Sequence, residues 1–235
     1  MSEVMNEQAR ATGISIMDQI PAADVPARSP LHHAIKTPGQ TAQPNPGVHL
    51  WEEALKAHLA LRGDAGNADF RQGIEAATGL ALPGALQSVH NNQWSLSWIA
   101  PDEWLLVGPG DKAFSMELTL RERLSGHYSI INVSGGQTLV RLAGAEARSV
   151  LMKSCPYDVH DRNFPVGKVV TTVFAKSQAT VRRLAESDWE LVIRRSFADY
   201  AWRWLVDASQ EYGVQLSAPA AQTQTAQRHT TAVEG

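Results

Sequence analysis

The stretch DEWLLVGP, residues 102–109, has a later counterpart in DWELVIRR, residues 188–195. Each opens on acidic residues, places a tryptophan, and runs on through apolar side chains, the pattern of a short buried strand. What surrounds the two copies decides the fold. Upstream of the first, WSLSWIA (94–100) alternates Trp94, Leu96 and Trp98 with serines, which predicts a half-buried strand, and PDE turns the chain between the two strands. Further upstream, HLALRGD (58–64) reads as a strand. NADFRQGIEAATG (67–79) reads as a helix with an Asn67 cap, an apolar face of Phe70, Ile74 and Ala77, and a stop at Gly79. Downstream, DKAFSMELTLRERL (111–124) puts Ala113, Met116, Leu120 and Leu124 on one helical face, and YSIINV (128–133) is a strand. The order is β-α-β-β-α-β.

The second copy has similar surroundings. QTLVRLAG (137–144) is a strand, AEARSVLMKS (145–154) a helix with Ala147, Val150 and Leu151 inward, and KVVTTVFAK (168–176) and ATVRRLAE (179–186) are strands. SFADYAWRWLVDAS (196–209) is the strongest helix signal, with Phe197, Tyr200, Ala201, Trp204, Leu205 and Ala208 in phase and Ser196 with Asp199 as a variant capping box. The reading is an α+β fold of internally duplicated split β-α-β units. Its two half-motifs span about 48–135 and 136–213 within a domain at 48–213. Residues 1–47 and 214–235, rich in small and polar residues, are expected to be largely disordered, with SPLHHAI (29–35) as a short docking segment in the first of them.

Composition narrows the function. The net charge of −3 gives no basic face for nucleic acid. No apolar run approaches the roughly 20 residues of a membrane helix, and the start lacks the pattern of a signal peptide. One cysteine fits a reducing compartment, so a cytoplasmic protein is expected.

The chemistry-bearing residues concentrate in KSCPYDVHDRNFPVG (153–167), which holds Cys155, Asp158 and His160. Cys155 falls at a helix C-terminus, where the dipole raises a thiol pKa, and Pro156 ends the helix. No CxxC or HxxxH accompanies the three residues, so a metal site is not expected. Asp158, Asp161, Pro156 and Pro165 read as turn formers, and His160 as a hydrogen-bonded loop residue. GPGD (108–111) and NVSGGQT (132–138) read as plain turns rather than phosphate loops. Arg182, Arg183, Arg194 and Arg195 fall close together near the last helix, and Trp202 lies off that helix's periodic face. An exposed tryptophan beside arginines is the material of a protein–protein contact, so Arg194, Arg195, Trp202 and His160 are the partner-contact candidates.

Several of these stretches carry a resemblance. SCPYDVHDRNFPVG, preceded by RLAGAEARSVLMK, together with WELVIRRSFADYAWRWLVDA and WIAPDEWLLVGP, resembles the gamma subunit family of heterotetrameric sarcosine oxidase over about residues 29–210. The resemblance implies alpha, beta and delta partner subunits. It also implies a complex that oxidises the N-methyl group of sarcosine to give glycine, hydrogen peroxide and a one-carbon unit for tetrahydrofolate. FAD, FMN, NAD and tetrahydrofolate are then expected in the partner subunits and no cofactor or catalytic residue in this chain. The implied fold is similar to part of the folate-binding aminomethyltransferase-like architecture. The chain departs from the family pattern at Asn132, where an aspartate is expected, and at Gln137, where an arginine is expected. Those departures weaken the expectation of a polar network at that turn. The alternative is a stand-alone tetrahydrofolate-binding or aminomethyltransferase-like protein, for which Asp102 and Glu103 are the candidate carboxylates.

Overall fold

A computed structural model describes residues 27–34 and 45–217. Among these residues, eleven strands form two sheets. The first half supplies β2 (Ala57–Arg62), α1 (Ala68–Thr78), β3 (Ser88–His90), β4 (Ser95–Ala100), β5 (Glu103–Gly108), α2 (Ala113–Arg123) and β6 (Ser129–Asn132). The second supplies β7 (Gln137–Ala143), α3 (Ala147–Ser154), β8 (Val169–Phe174), β9 (Ser177–Ala185), β10 (Asp188–Arg194), α4 (Ala198–Ser209) and β11 (Val214–Ser217). A strand the sequence reading passed over, β1 (Val48–Glu53), precedes them.

The duplication is visible in the strand order. One sheet runs β3-β4-β5-β2-β6 and the other β8-β9-β10-β7-β1-β11. Matching β2 to β7, and so on along the chain, makes the two sheets equivalent except for β1. That strand pairs antiparallel with β7 and parallel with β11, so β11 keeps the direction relative to β7 that β6 has relative to β2. β1 is an inserted strand, contributed by the first half to the second half's sheet. It is also the reason Val214–Ser217, assigned to the tail from composition, are ordered: they complete an edge beside β1.

Each sheet buries one face under its own helices. Leu59, Leu61, Leu96, Trp104 and Leu106 pack with Phe70, Ile74, Met116 and Leu120. Leu50, Leu142, Trp189, Leu191 and Ile193 pack with Val150, Leu151, Ala201, Trp202 and Leu205. The opposite faces meet each other through Leu105, Val107, Leu139 and Val192. The result is four layers: helices, sheet, sheet, helices. This explains a difference from expectation. Alternation predicts a half-buried β4, yet Ser95 and Ser97 are buried with their apolar neighbours, because the serine face meets the other sheet.

Local signals set the helices. Asn67 Oδ1 accepts from the Asp69 and Phe70 amides at 2.9 and 3.5 Å, and Gly79 closes α1 at φ +70°. α4 differs from its reading. Its buried stripe is Ala198, Ala201, Trp202, Leu205 and Ser209, one position out of phase with the expected one. The helix carries two adjacent apolar stripes that share Ala201 and Leu205, and the one that adds Ala198 and Trp202 faces the sheet. Phe197 and Tyr200 are left on the surface. No capping box forms; Asp199 instead pairs with Arg203 at 3.0 Å and His33 at 3.2 Å.

The segment 29–34 is tied to this core. Leu31 is fully buried in it, and the Ser29 hydroxyl donates to Glu52 Oε2 at 2.6 Å. Thr138 donates to the other oxygen of Glu52 at 2.5 Å, so that buried carboxylate is satisfied by two hydroxyls. The rest of the stretches expected to be disordered, 1–26, 35–44 and 218–235, lies outside the described residues.

Candidate functional site

The loop that holds Cys155 is built for shape. α3 ends at Ser154, and the Cys155 amide donates back to Leu151 O at 3.0 Å. Burial pushes the Cys155 thiol up from its ordinary pKa. The direction is the one read from the helix end; desolvation is its cause. Asp158 Oδ1 accepts from the His160 amide at 2.9 Å, and His160 Nδ1 accepts from the Arg162 amide at 3.3 Å. Asp161 bridges Arg148 at 2.5 Å and Arg183 at 2.7 Å, and Arg148 foremost holds its carboxyl below the usual range. Asp158 and His160 are engaged in the turn, with His160 on the surface. Among the described residues, no group of three or more His, Cys, Asp or Glu side chains is arranged to hold a metal.

The four arginines do not form one patch. Arg182 and Arg183 are neighbours on β9, so they point to opposite faces of the sheet. Arg183 turns toward the helices, donating to Phe164 O at 2.7 Å and stacking on the Trp189 ring. Arg182 turns toward the other sheet and pairs with Glu190 at 2.8 Å, both buried. Arg194 and Arg195 are exposed. Trp202, expected at the surface, is 3% exposed and packs in the core under α4. The shift in helix phase puts it there. The exposed aromatic residues that follow Arg194 and Arg195 in the chain are Phe197 and Tyr200, which periodicity assigns to the core.

The turn at 132–137 carries the polar network that its departures had made unexpected. Asn132 Oδ1 accepts from the Ser134 amide at 3.1 Å and its hydroxyl at 2.6 Å. Ser134 Oγ in turn accepts from the His58 amide at 2.9 Å, and His58 Nδ1 donates to Gln137 Oε1 at 3.1 Å. His58 is 1% exposed, and its Nε2 has no partner among the described residues. Burial lowers its pKa to about 4, so the ring is neutral near pH 7. Asn132 and Gln137, both neutral amides, supply the acceptors at the two ends of this network.

Two clefts remain. One, of about 450 Å³, lies between the sheets; its lining includes Trp94, Val107 and Leu139 as well as the charged Glu53, Lys56, Arg141, Asp188, Arg182 and Glu190. Its charges answer one another: Lys56 with Glu53 at 3.0 Å, Arg141 with Asp188, and Arg182 with Glu190. The other, of about 650 Å³, is open and contains Asp102, one of the two carboxylates weighed for one-carbon chemistry. Arg62 donates to Asp102 Oδ2 at 2.6 Å and lowers its pKa. A general base that must take a proton near neutrality has its pKa raised, not lowered. Glu103 opens β5 beside it.

Comparison with known proteins agrees with this architecture. The model of the sarcosine oxidase, gamma subunit family matches residues 62–211. The sarcosine oxidase subunit gamma of Corynebacterium sp. (strain U-96) is 31% identical over 198 residues, covering 79% of this chain and 91% of the relative. The same subunit of Arthrobacter sp is 30% identical over 188 residues, with the same coverage. Among solved structures, a heterotetrameric sarcosine oxidase from Corynebacterium sp. U-96 in complex with pyrrole 2-carboxylate contains a chain that superposes with a TM-score of 0.69. The identity is 31%, covering 79% of this chain and 96% of that one. The glycine cleavage system aminomethyltransferase T of Bartonella henselae shares the fold at a TM-score of 0.56 and 16% identity, covering 73% of this chain and 48% of its own length.

Proposed function

The chain belongs to the sarcosine oxidase gamma subunit family, and we propose that it serves as the non-catalytic gamma subunit of a heterotetrameric sarcosine oxidase. The observation that carries this is the structural match to a chain of such an assembly, which extends over 96% of that chain. In this reading the chain works beside alpha, beta and delta subunits in the cytoplasm. The complex oxidises the N-methyl group of sarcosine, giving glycine, reducing oxygen to hydrogen peroxide and passing the one-carbon unit to tetrahydrofolate. FAD, FMN, NAD and tetrahydrofolate sit in the partner subunits. The contribution of this chain is to hold those subunits in register and stabilise the assembly.

The site geometry supports a structural role. A flavin or pterin ring needs an apolar slot with polar groups waiting at its edge. The cleft between the sheets offers carboxylates and cations that already pair with each other. Cys155 is held as a thiol by burial, and Asp102 is held as an ion-paired carboxylate by Arg62. No helix among the described residues is long and apolar enough to cross a membrane. Of the contact candidates, Arg194, Arg195 and His160 stand at the surface, available to another subunit.

Kinetics of the assembled oxidase test the non-catalytic role. Cys155→Ser and Asp102→Asn should each leave sarcosine-dependent oxygen uptake and folate coupling within about twofold of the parent complex. Loss of a general acid or base lowers rates by roughly 10²-fold or more. A loss of that size in folate coupling for Asp102→Asn would support the aminomethyltransferase-like alternative instead.

A further inference from the structure

Two turns leave the same end of one sheet side by side. In the β7–β10 pairing, Gln137 lies opposite Arg194. The turn Ser134–Gly136 runs into Gln137, and the turn Arg195–Phe197 runs out of Arg194. Gly135 and Gly136 are exposed on the first. Arg194, Arg195 and Phe197 are exposed on the second, and Tyr200 follows on the first turn of α4.

This surface joins positive charge to aromatic rings. The chain carries a net charge of −3, yet Arg194 and Arg195 present two guanidinium groups, neither in an ion pair among the described residues. The nearest carboxylate on α4, Asp199, is taken by Arg203 and His33. Phe197 is 43% and Tyr200 37% exposed, among the largest apolar side chains left at the surface. Aromatic rings with arginines are what anchors a protein–protein contact.

The glycines add an independent observation. Neither Gly135 nor Gly136 has a positive φ, and a Cβ built on either meets nothing within 4 Å. The fold of this chain therefore has no need of glycine at either position, and their flexibility costs it stability. What glycine does provide is bare backbone, against which another chain can pack its own main chain closely.

We propose that these adjacent turns, Ser134–Gly136 and Arg194–Phe197 with Tyr200, form a docking surface for an acidic segment of another subunit of the oxidase. Carboxylates on that segment pair with Arg194 and Arg195. Its main chain lies along Gly135 and Gly136, and Phe197 and Tyr200 cover its apolar side chains. This rests on the subunit reading above and names the surface that reading requires.

The test is co-expression of the full chain with the other three subunits, followed by native mass measurement and a salt series. The double variant Arg194→Glu/Arg195→Glu and the variant Gly135→Gln should each reduce incorporation of this chain roughly tenfold or more. Neither should lower the parent's melting temperature when the chain is purified alone. Wild-type incorporation should weaken from about 0.05 to about 0.5 M salt. Arg123→Glu, at an exposed position at the end of α2, should assemble as the parent does. Normal assembly of both variants, indifference to salt, or an equal loss for Arg123→Glu overturns the proposal. Failure of the wild-type chain to assemble at all removes the subunit reading itself, a result distinct from any pattern among the variants.

Discussion

His58 is held neutral in a site that has no room for its charge. Its folded pKa of about 4 lies below the ordinary value of 6.5, with burial as the main cause. Between those values the unfolded chain binds more protons than the folded one, so stability rises with pH there. The chain should lose on the order of 3 kcal/mol as pH falls from about 6.5 to about 4 through this residue alone. Urea unfolding of the wild type and His58→Gln at pH 7.5 and at pH 5 checks this: the variant should show the shallower pH dependence. Trp202 makes the opposite point about visibility. Trp202→Ala should destabilise by about 3–5 kcal/mol, as expected for a large side chain removed from a packed core. A change within experimental error would return Trp202 to the surface where the sequence reading had put it. Neighbouring residues on a strand face opposite ways, so the separation of Arg182 from Arg183 was legible from β9. The pairing of Arg182 with Glu190 was not, because it depends on strand register.

At the scale of elements, local chemistry was legible and burial on the second face was not. The Asn67 cap and the Gly79 stop stand where the residue types put them. Asn67→Ala should therefore cost about 1 kcal/mol, measured by the shift in the unfolding midpoint, through loss of two amide partners at the start of α1. No shift would mean that packing alone fixes the helix start. The serines of β4 show the limit of periodicity. Alternation reports which face is more apolar, but small hydroxyl residues fit equally well between two sheets or in water, and here they lie between sheets. α4 shows the same limit for a helix. Its two apolar stripes differ by one residue in phase, and periodicity chose the one with larger side chains. The two share Ala201 and Leu205, and the sheet buries the one that adds Ala198 and Trp202. Of the expected stripe, Phe197 and Tyr200 are the residues left at the surface, next along the chain from Arg194 and Arg195.

The whole molecule keeps the trace of its duplication in topology better than in letters. The echo of DEWLLVGP in DWELVIRR corresponds to β5 and β10, which hold equivalent places in the two sheets. Among the described strands only β1 breaks the equivalence, and VHLWEE has no counterpart strand in the second half, so no comparison of the halves points to it. The site is less legible still. Partner contacts are written on the exposed residues of a folded surface, and exposure follows from layers that assemble from distant parts of the chain. The central claim is that this chain is one subunit of a flavin-bearing oxidase, and its most direct measurement is isolation of the co-expressed assembly through a tag on this chain. The account predicts a yellow complex with one copy of each of four subunits that consumes oxygen when sarcosine is added. A colourless chain recovered alone, from cells in which the other three subunits assemble and oxidise sarcosine without it, would contradict it.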